Sequence, residues 1–108
     1  MTEHTLYDVP ATVLKVMAQN LENENYPVRI RSNDDHASLA AAALWLFAKQ
    51  TGLDRDSESL GTVLTDFLGD LLHLCEQFDP DTSGEKHLRE SLRTALMHFE
   101  QEKEERLY

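Results

Sequence analysis

Cysteine is nearly absent from this sequence, which contains a single one, Cys75. One cysteine forms no internal disulfide, and it does not supply the multi-cysteine ligand sets of structural zinc sites. Because Cys75 lies among apolar residues, we expect an inert core thiol rather than a nucleophile. The sequence therefore excludes disulfide and zinc–cysteine stabilisation and relies on an apolar core.

Basic residues are also scarce: ten Lys and Arg stand against twenty Asp and Glu, for a formal net charge of −10. Nucleic acids and anionic membranes bind clustered Lys and Arg, so we expect neither as a direct partner. An acidic surface suits cations, a basic protein surface or mimicry of a polyanion; the alternative is that the acidity only keeps the protein soluble. The composition predicts a protein partner with a basic surface.

Long apolar runs are missing as well. The longest, Ala37–Ala48, is shorter than the ~18–20 residues of a membrane-spanning helix. The first ten residues show no basic region followed by an apolar stretch, so no secretion signal is predicted and we expect a cytoplasmic protein. With 41% apolar residues, the 108-residue chain has enough material for the core of one domain, residues 1–108.

Apolar residues recur at helical spacing in four segments. These predicted helices extend over about residues 8–22, from 33 or 34 to 51, from 57 or 59 to 78, and 85–102. The middle of the second, LAAAALWLFA, is apolar nearly all round, which is typical of the buried centre of a bundle. We therefore predict an all-α four-helix bundle with helix two central, and no ordered structure in 1–7 and 103–108. If helix two were exposed, it would instead form an oligomer interface, so a homodimer is also predicted.

The segment 79–90, DPDTSGEKHLRE, resembles the twelve-residue calcium loop of an EF-hand. In such a loop, alternating short oxygen ligands, a Gly at position 6 and a closing Glu at position 12 surround the ion. Gly84 and Glu90 stand at those two positions. The resemblance implies a Ca²⁺ site with these ligands: the side chains of Asp79, Asp81, Ser83 and Glu90, and the backbone carbonyl of Glu85.

The residues of segment 79–90 are also typical of an ordinary turn between two helices. Asp79–Pro80 starts a turn, and Thr82 or Ser83 can cap the following helix. Glu85 in the first helical turn suits the helix dipole. Lys86 occupies position 8, where an EF-hand carries a branched apolar residue. Both interpretations remain open from the sequence.

A second polar constellation is predicted on helices three and four. Asp66, Asp70 and His73 share one helix face, and His98 lies on the following helix. If these faces met, Asp70, His73 and His98 would form a carboxylate–imidazole metal site. The stretch TDFLGDLLHL also resembles a helix of the all-α nucleotide pyrophosphohydrolases related to MazG, with Asp70 matching a Mg²⁺ ligand and Phe67 replacing the Glu. That resemblance implies a metal-dependent nucleotide hydrolase; the alternative is a solvated polar stripe.

Residues 70–100 are similar to short uncharacterised bacterial and phage-borne helical proteins. The shared pattern is D-x-x-H-x-x-[DE] followed by A-x-x-H-[YF], matched here by Asp70, His73, Glu76, Ala95, His98 and Phe99. The resemblance implies that helices three and four act as one unit, and it assigns no activity.

Sequences of catalytic nucleophile elbows, phosphate-binding loops and dinucleotide-binding loops are absent. We therefore predict a non-enzymatic acidic interaction protein, a small regulator or inhibitor of mobile-element origin that binds a basic partner protein and needs no cofactor. The alternatives are a calcium-binding module and a metal-dependent nucleotide hydrolase, for which Ca²⁺ or another divalent cation would be the cofactor.

Overall fold

A computed structural model describes residues 5–21, 25–79 and 81–105 of the chain. These residues form a short 3₁₀ turn, Leu6–Asp8, and four α-helices: α1, Val13–Gln19; α2, Asn33–Thr51; α3, Leu60–Phe78; and α4, Gly84–Glu105. The described ranges contain no β-strand, only one isolated antiparallel bridge between Pro10 and Ser59. The predicted all-α class is confirmed.

The chain divides by compactness into two units, residues 1–67 and 68–108. The first contains α1, α2 and the first part of α3, and the second contains the rest of α3 and α4. A single domain over residues 1–108 stays a prediction.

The core of the first unit forms where α1, α2 and α3 supply small and branched apolar residues. Its buried members are Ala11, which precedes α1, and Leu14, Ala41, Ala48 and Val63. Partly buried residues pack around them: Met17, Leu44, Trp45, Phe47, Leu53 and Leu60. At one edge, the rings of Phe47 and Phe67 meet edge to face, with centroids 5.2 Å apart. Since α2 supplies two of the buried and three of the surrounding residues, it is the central helix of this unit.

The end of α2 follows from glycine chemistry. Gly52 has a φ of 78°, a left-handed conformation that a side chain with a Cβ rarely adopts. The backbone N–H of Leu53 donates to the carbonyl oxygen of Ala48 at 2.8 Å, which satisfies a terminal helix carbonyl. The predicted end of helix two at Thr51 is thereby confirmed.

The first helix is shorter than the predicted 8–22. Val9 is extended, as expected for a residue before proline, so the helix cannot begin at Asp8. The backbone around Pro10 bonds to another segment instead: Leu60 N–H donates to the Val9 carbonyl at 2.7 Å, and Ala11 N–H donates to the Glu58 carbonyl at 2.9 Å. Tertiary bonding has replaced the first predicted helical turn.

Tyr7, within the segment 1–7 predicted to lack structure, lies in the 3₁₀ turn and contacts α3. Tyr7 Oη and Thr65 Oγ1 share a hydrogen bond of 2.8 Å. The Tyr7 ring lies so close to Gly61 that a Cβ there would come within 2.8 Å of it. Gly61 therefore provides the space for this aromatic contact; residues 1–4 lie outside the described residues.

The other helix ends differ little from the predictions. Ser59 Oγ accepts the backbone N–H of Thr62 at 3.1 Å and caps α3. α4 continues to Glu105, past its predicted end near residue 102, and residues 106–108 lie outside the described residues. No helix in the described ranges combines the length and apolar character needed to cross a membrane.

Candidate functional site

The turn between α3 and α4 sets the geometry of the second unit. Ser83 Oγ accepts the backbone N–H of Lys86 at 3.2 Å and caps α4. A Cβ on Gly84 would collide with the backbone carbonyl oxygen of Leu72 and lie 3.0 Å from the Glu76 side chain. Because only glycine permits this approach, the first residue of α4 lies directly against α3.

Beyond this contact the two helices leave an apolar groove with a volume of about 380 Å³. Leucines from both helices line it, with a charged pair at its edge: Leu68 and Leu72 from α3, and Glu85, Leu88, Arg89 and Leu92 from α4. Glu85 Oε2 accepts a hydrogen bond from Arg89 Nε at 2.7 Å, so these two charges are paired with each other. We call this feature the α3–α4 groove.

Apolar side chains continue from the groove along α4. Leu92, Leu96 and Phe99 are spaced by four and three residues, so they share one helix face. Their exposed fractions are 65%, 54% and 51%. We call these three residues the α4 row. Half or more of each side chain is in contact with solvent, which is unusual for an apolar helix face in a monomer.

Charge is distributed unevenly along α4. Residues 85–93 carry three basic and two acidic side chains, whereas residues 98–105 carry four glutamates and one lysine. That lysine, Lys103, places Nζ 5.3 Å from the centre of the Phe99 ring in a cation–π contact. The C-terminal half of α4 is therefore an acidic border beside the last member of the α4 row.

A polar pair ties the end of α3 to the first turns of α4. His87 Nε2 lies 3.0 Å from Asp79 Oδ2. The hydrogen bond from His87 is the main cause that holds the pKa of the Asp79 carboxyl below its ordinary value, since it favours the charged form. Both side chains are partly exposed, so the pair positions the turn without contributing much to global stability.

The residues of the predicted calcium loop have other roles in the structure. Asp79 contacts His87, Ser83 caps α4, and Glu85 pairs with Arg89. α4 already begins at Gly84, so positions 6 to 12 of the loop are helical. Asp81 and Glu90 are exposed at separate points of the turn and helix. The structure thus shows the capped helical turn, and the calcium site stays a prediction.

The residues of the second predicted metal set are exposed as well. Asp66, Asp70 and His73 are exposed on α3, and His98 is exposed on α4 beside Thr94 on an open face of that helix. Among the residues that the structure describes, no three His, Cys, Asp or Glu side chains gather in a group that could hold a metal ion. The nucleotide hydrolase likewise stays a prediction.

Two features of the second unit were not predicted from the sequence: the exposure of the α4 row and the Asp79–His87 pair. The α4 row is visible as a helical pattern, but its periodicity alone indicates a core-facing stripe and gives no measure of exposure. No sequence pattern indicates the Asp79–His87 contact, because the two residues are eight positions apart across a turn. A signal for the close approach of the helices was present in Gly84, the only glycine of the turn.

Comparisons of this chain with protein-family models, curated proteins and solved structures find no match.

Proposed function

We propose that this chain is a non-enzymatic regulatory protein that binds a basic partner protein through the α4 row and the α3–α4 groove. The single observation that carries the proposal is the exposure of Leu92, Leu96 and Phe99 on one face of α4. Such a face is a typical docking surface for an amphipathic helix, which buries its own apolar residues in a groove. The proposed biological setting, a small regulator of mobile-element origin, rests on the resemblance of residues 70–100 to phage-borne proteins.

Apolar burial supplies the affinity in this proposal. Burying one large apolar side chain stabilises a complex by roughly 1.5–3 kcal/mol, before the entropic cost of association is subtracted. About half of this burial free energy remains available from each side chain of the α4 row, because about half of each side chain is exposed. The leucines of the α3–α4 groove add a recess for one further side chain of the partner.

Charge determines which partner fits. The chain carries a formal net charge of −10, and its α4 row ends among the glutamates of residues 98–105. A second copy of this chain would bring the same negative charge to the complex. A partner helix with an apolar stripe and basic flanks would be attracted, and its association rate would fall as salt is added.

The test uses two variants that add the same charge to opposite faces of α4. Leu96→Glu/Phe99→Glu places two glutamates in the α4 row. Met97→Glu/Gln101→Glu places two on the other side of the helix, where Met97 is 62% exposed. A partner captured by cross-linking in cells that express the chain is identified by mass spectrometry, purified and titrated against each variant.

We expect a basic partner whose affinity falls between low and high salt, is lost in Leu96→Glu/Phe99→Glu and is kept in Met97→Glu/Gln101→Glu. Equal affinity of the two variants would contradict the proposed surface. Light scattering tests whether a second copy of the chain covers the α4 row instead. A dimer that is dissociated by Leu96→Glu/Phe99→Glu and kept in Met97→Glu/Gln101→Glu would show this, and it would overturn the proposal of a basic partner.

A further inference from the structure

A cleft with a volume of about 550 Å³ opens between α1 and α2 in the first unit. Both helices, and the segment after α2, line it: Lys15, Ala18 and Gln19 from α1, Ala42, Trp45, Leu46 and Lys49 from α2, and Asp54. Its volume is within the range of ligand sites, which combine an apolar or aromatic wall with a few polar groups.

The aromatic wall is Trp45, the only tryptophan of the chain. Trp45 is half-buried and packs against the core of the first unit, so the core fixes the position of its indole. Ala18 and Ala42 line the same cleft with small side chains. A planar group could therefore lie against the indole at little cost in side-chain entropy.

Two cationic side chains stand on opposite walls of this cleft. Lys15 belongs to α1 and Lys49 to α2, and both are exposed. Neither ammonium group forms an ion pair within the described part of the chain. Other cations of this acidic chain do form ion pairs, as Arg31 does with Asp35 and Arg89 with Glu85. The cleft thus combines two ammonium groups with one carboxylate, that of Asp54.

We propose that this cleft binds a small planar aromatic anion. The ring lies against Trp45, and the anionic group, a phosphate or a carboxylate, lies between Lys15 and Lys49. Gln19 and Asp54 are available to hydrogen-bond groups on the ring, with Asp54 accepting from a hydroxyl or an amine. All residues of this site belong to the first unit, whereas the α4 row belongs to the second.

The position of Trp45 gives the test a direct signal, because its fluorescence reports binding without a label. The probes are two matched pairs, adenosine monophosphate with adenosine and benzoate with benzamide, together with inorganic phosphate. The two members of each pair share the same aromatic ring, and only one of them carries the anionic group. Saturation by the monophosphate alone would assign a nucleotide-like ligand, and saturation by benzoate alone would assign an aromatic carboxylate; either outcome supports the site.

Lysine variants then test the assignment. We expect Lys15→Gln/Lys49→Gln to weaken binding of the anionic probe by about tenfold, because two charge-assisted contacts are lost. Lys86→Gln/Lys103→Gln removes the same charge from α4 and should leave the dissociation constant unchanged. Circular dichroism verifies that both variants fold. The proposal is overturned by equal binding of charged and neutral probes, by equal effects of the two variants, or by the absence of saturation up to about 5 mM of every aromatic probe.

Discussion

The buried core of the first unit predicts that one substitution has different effects at two positions. Val63 on α3 is 0% exposed, whereas Val16 on α1 is 64% exposed. Val→Ala removes the same two methyl groups from a helix in both cases. The difference between the two variants therefore measures burial, since the gain in helix propensity is shared.

The magnitudes follow from the exposed fractions. At Val63 the lost transfer free energy is about 1.6 kcal/mol, and a cavity left by two methyl groups adds about 1 kcal/mol. A propensity gain of about 0.5 kcal/mol offsets part of this, so we expect a net loss of about 2 kcal/mol in the free energy of unfolding. At Val16 only about a third of the transfer term applies, about 0.6 kcal/mol, and the propensity gain cancels it.

Urea unfolding followed by Trp45 fluorescence measures both values, because Trp45 packs against the same core as Val63. Circular dichroism on the same samples checks that one transition is observed. Equal losses for Val63→Ala and Val16→Ala would refute the assignment of Val63 to the core, and a loss of about 2 kcal/mol at Val16 alone would show that α1 packs on its other face.

The remaining predictions concern the turn between α3 and α4. Gly84→Ala should lower the free energy of unfolding by about 1–3 kcal/mol, because the new Cβ meets the Leu72 carbonyl. Gly69→Ala should raise the free energy of unfolding by up to about 1 kcal/mol, because a Cβ at Gly69 meets nothing within 4 Å. Thermal unfolding compares the two variants. The Asp79 carboxyl, followed by NMR, should titrate below the ordinary value of about 3.9, and His87→Gln should raise its midpoint. The sign follows from the lowered pKa: the pair stabilises the fold above pH of about 4 and loses its effect as pH falls through the folded pKa, so wild type and His87→Gln should converge in acid. Because Asp79 already pairs with His87, about 1 mM Ca²⁺ should leave the melting temperature of metal-stripped protein unchanged. A rise of several degrees, as for a ligand at 100 times its Kd, would contradict this and point to the predicted calcium loop.

Helix positions were largely predictable from the sequence because they depend on local chemistry. Gly52 ends α2 through its left-handed backbone, and Ser59 and Ser83 cap α3 and α4 through short-range hydrogen bonds. The first helix was predicted too long because bonds from Val9 and Ala11 to residues some fifty positions away replaced its first turn. Such long-range bonds leave no periodic signal in the sequence.

The candidate site was less predictable, because exposure depends on tertiary packing. The pattern of Leu92, Leu96 and Phe99 has the period of a core-facing stripe, and only the structure shows that half of each side chain is exposed. The residue types in 79–90 are compatible with both a calcium loop and a capped turn, since both use Asp, Ser, Gly and Glu. The contact of Gly84 with Leu72 is what distinguishes the observed turn.

Amide hydrogen exchange of the chain, alone and bound to its purified partner, tests the central claim most directly. We predict slower exchange in peptides covering residues 85–102, together with the Leu68–Leu72 side of the groove, and unchanged exchange in α2. Protection confined to the first unit, with α4 exchanging as fast as in the free protein, would contradict the assignment of the α4 row as the binding surface.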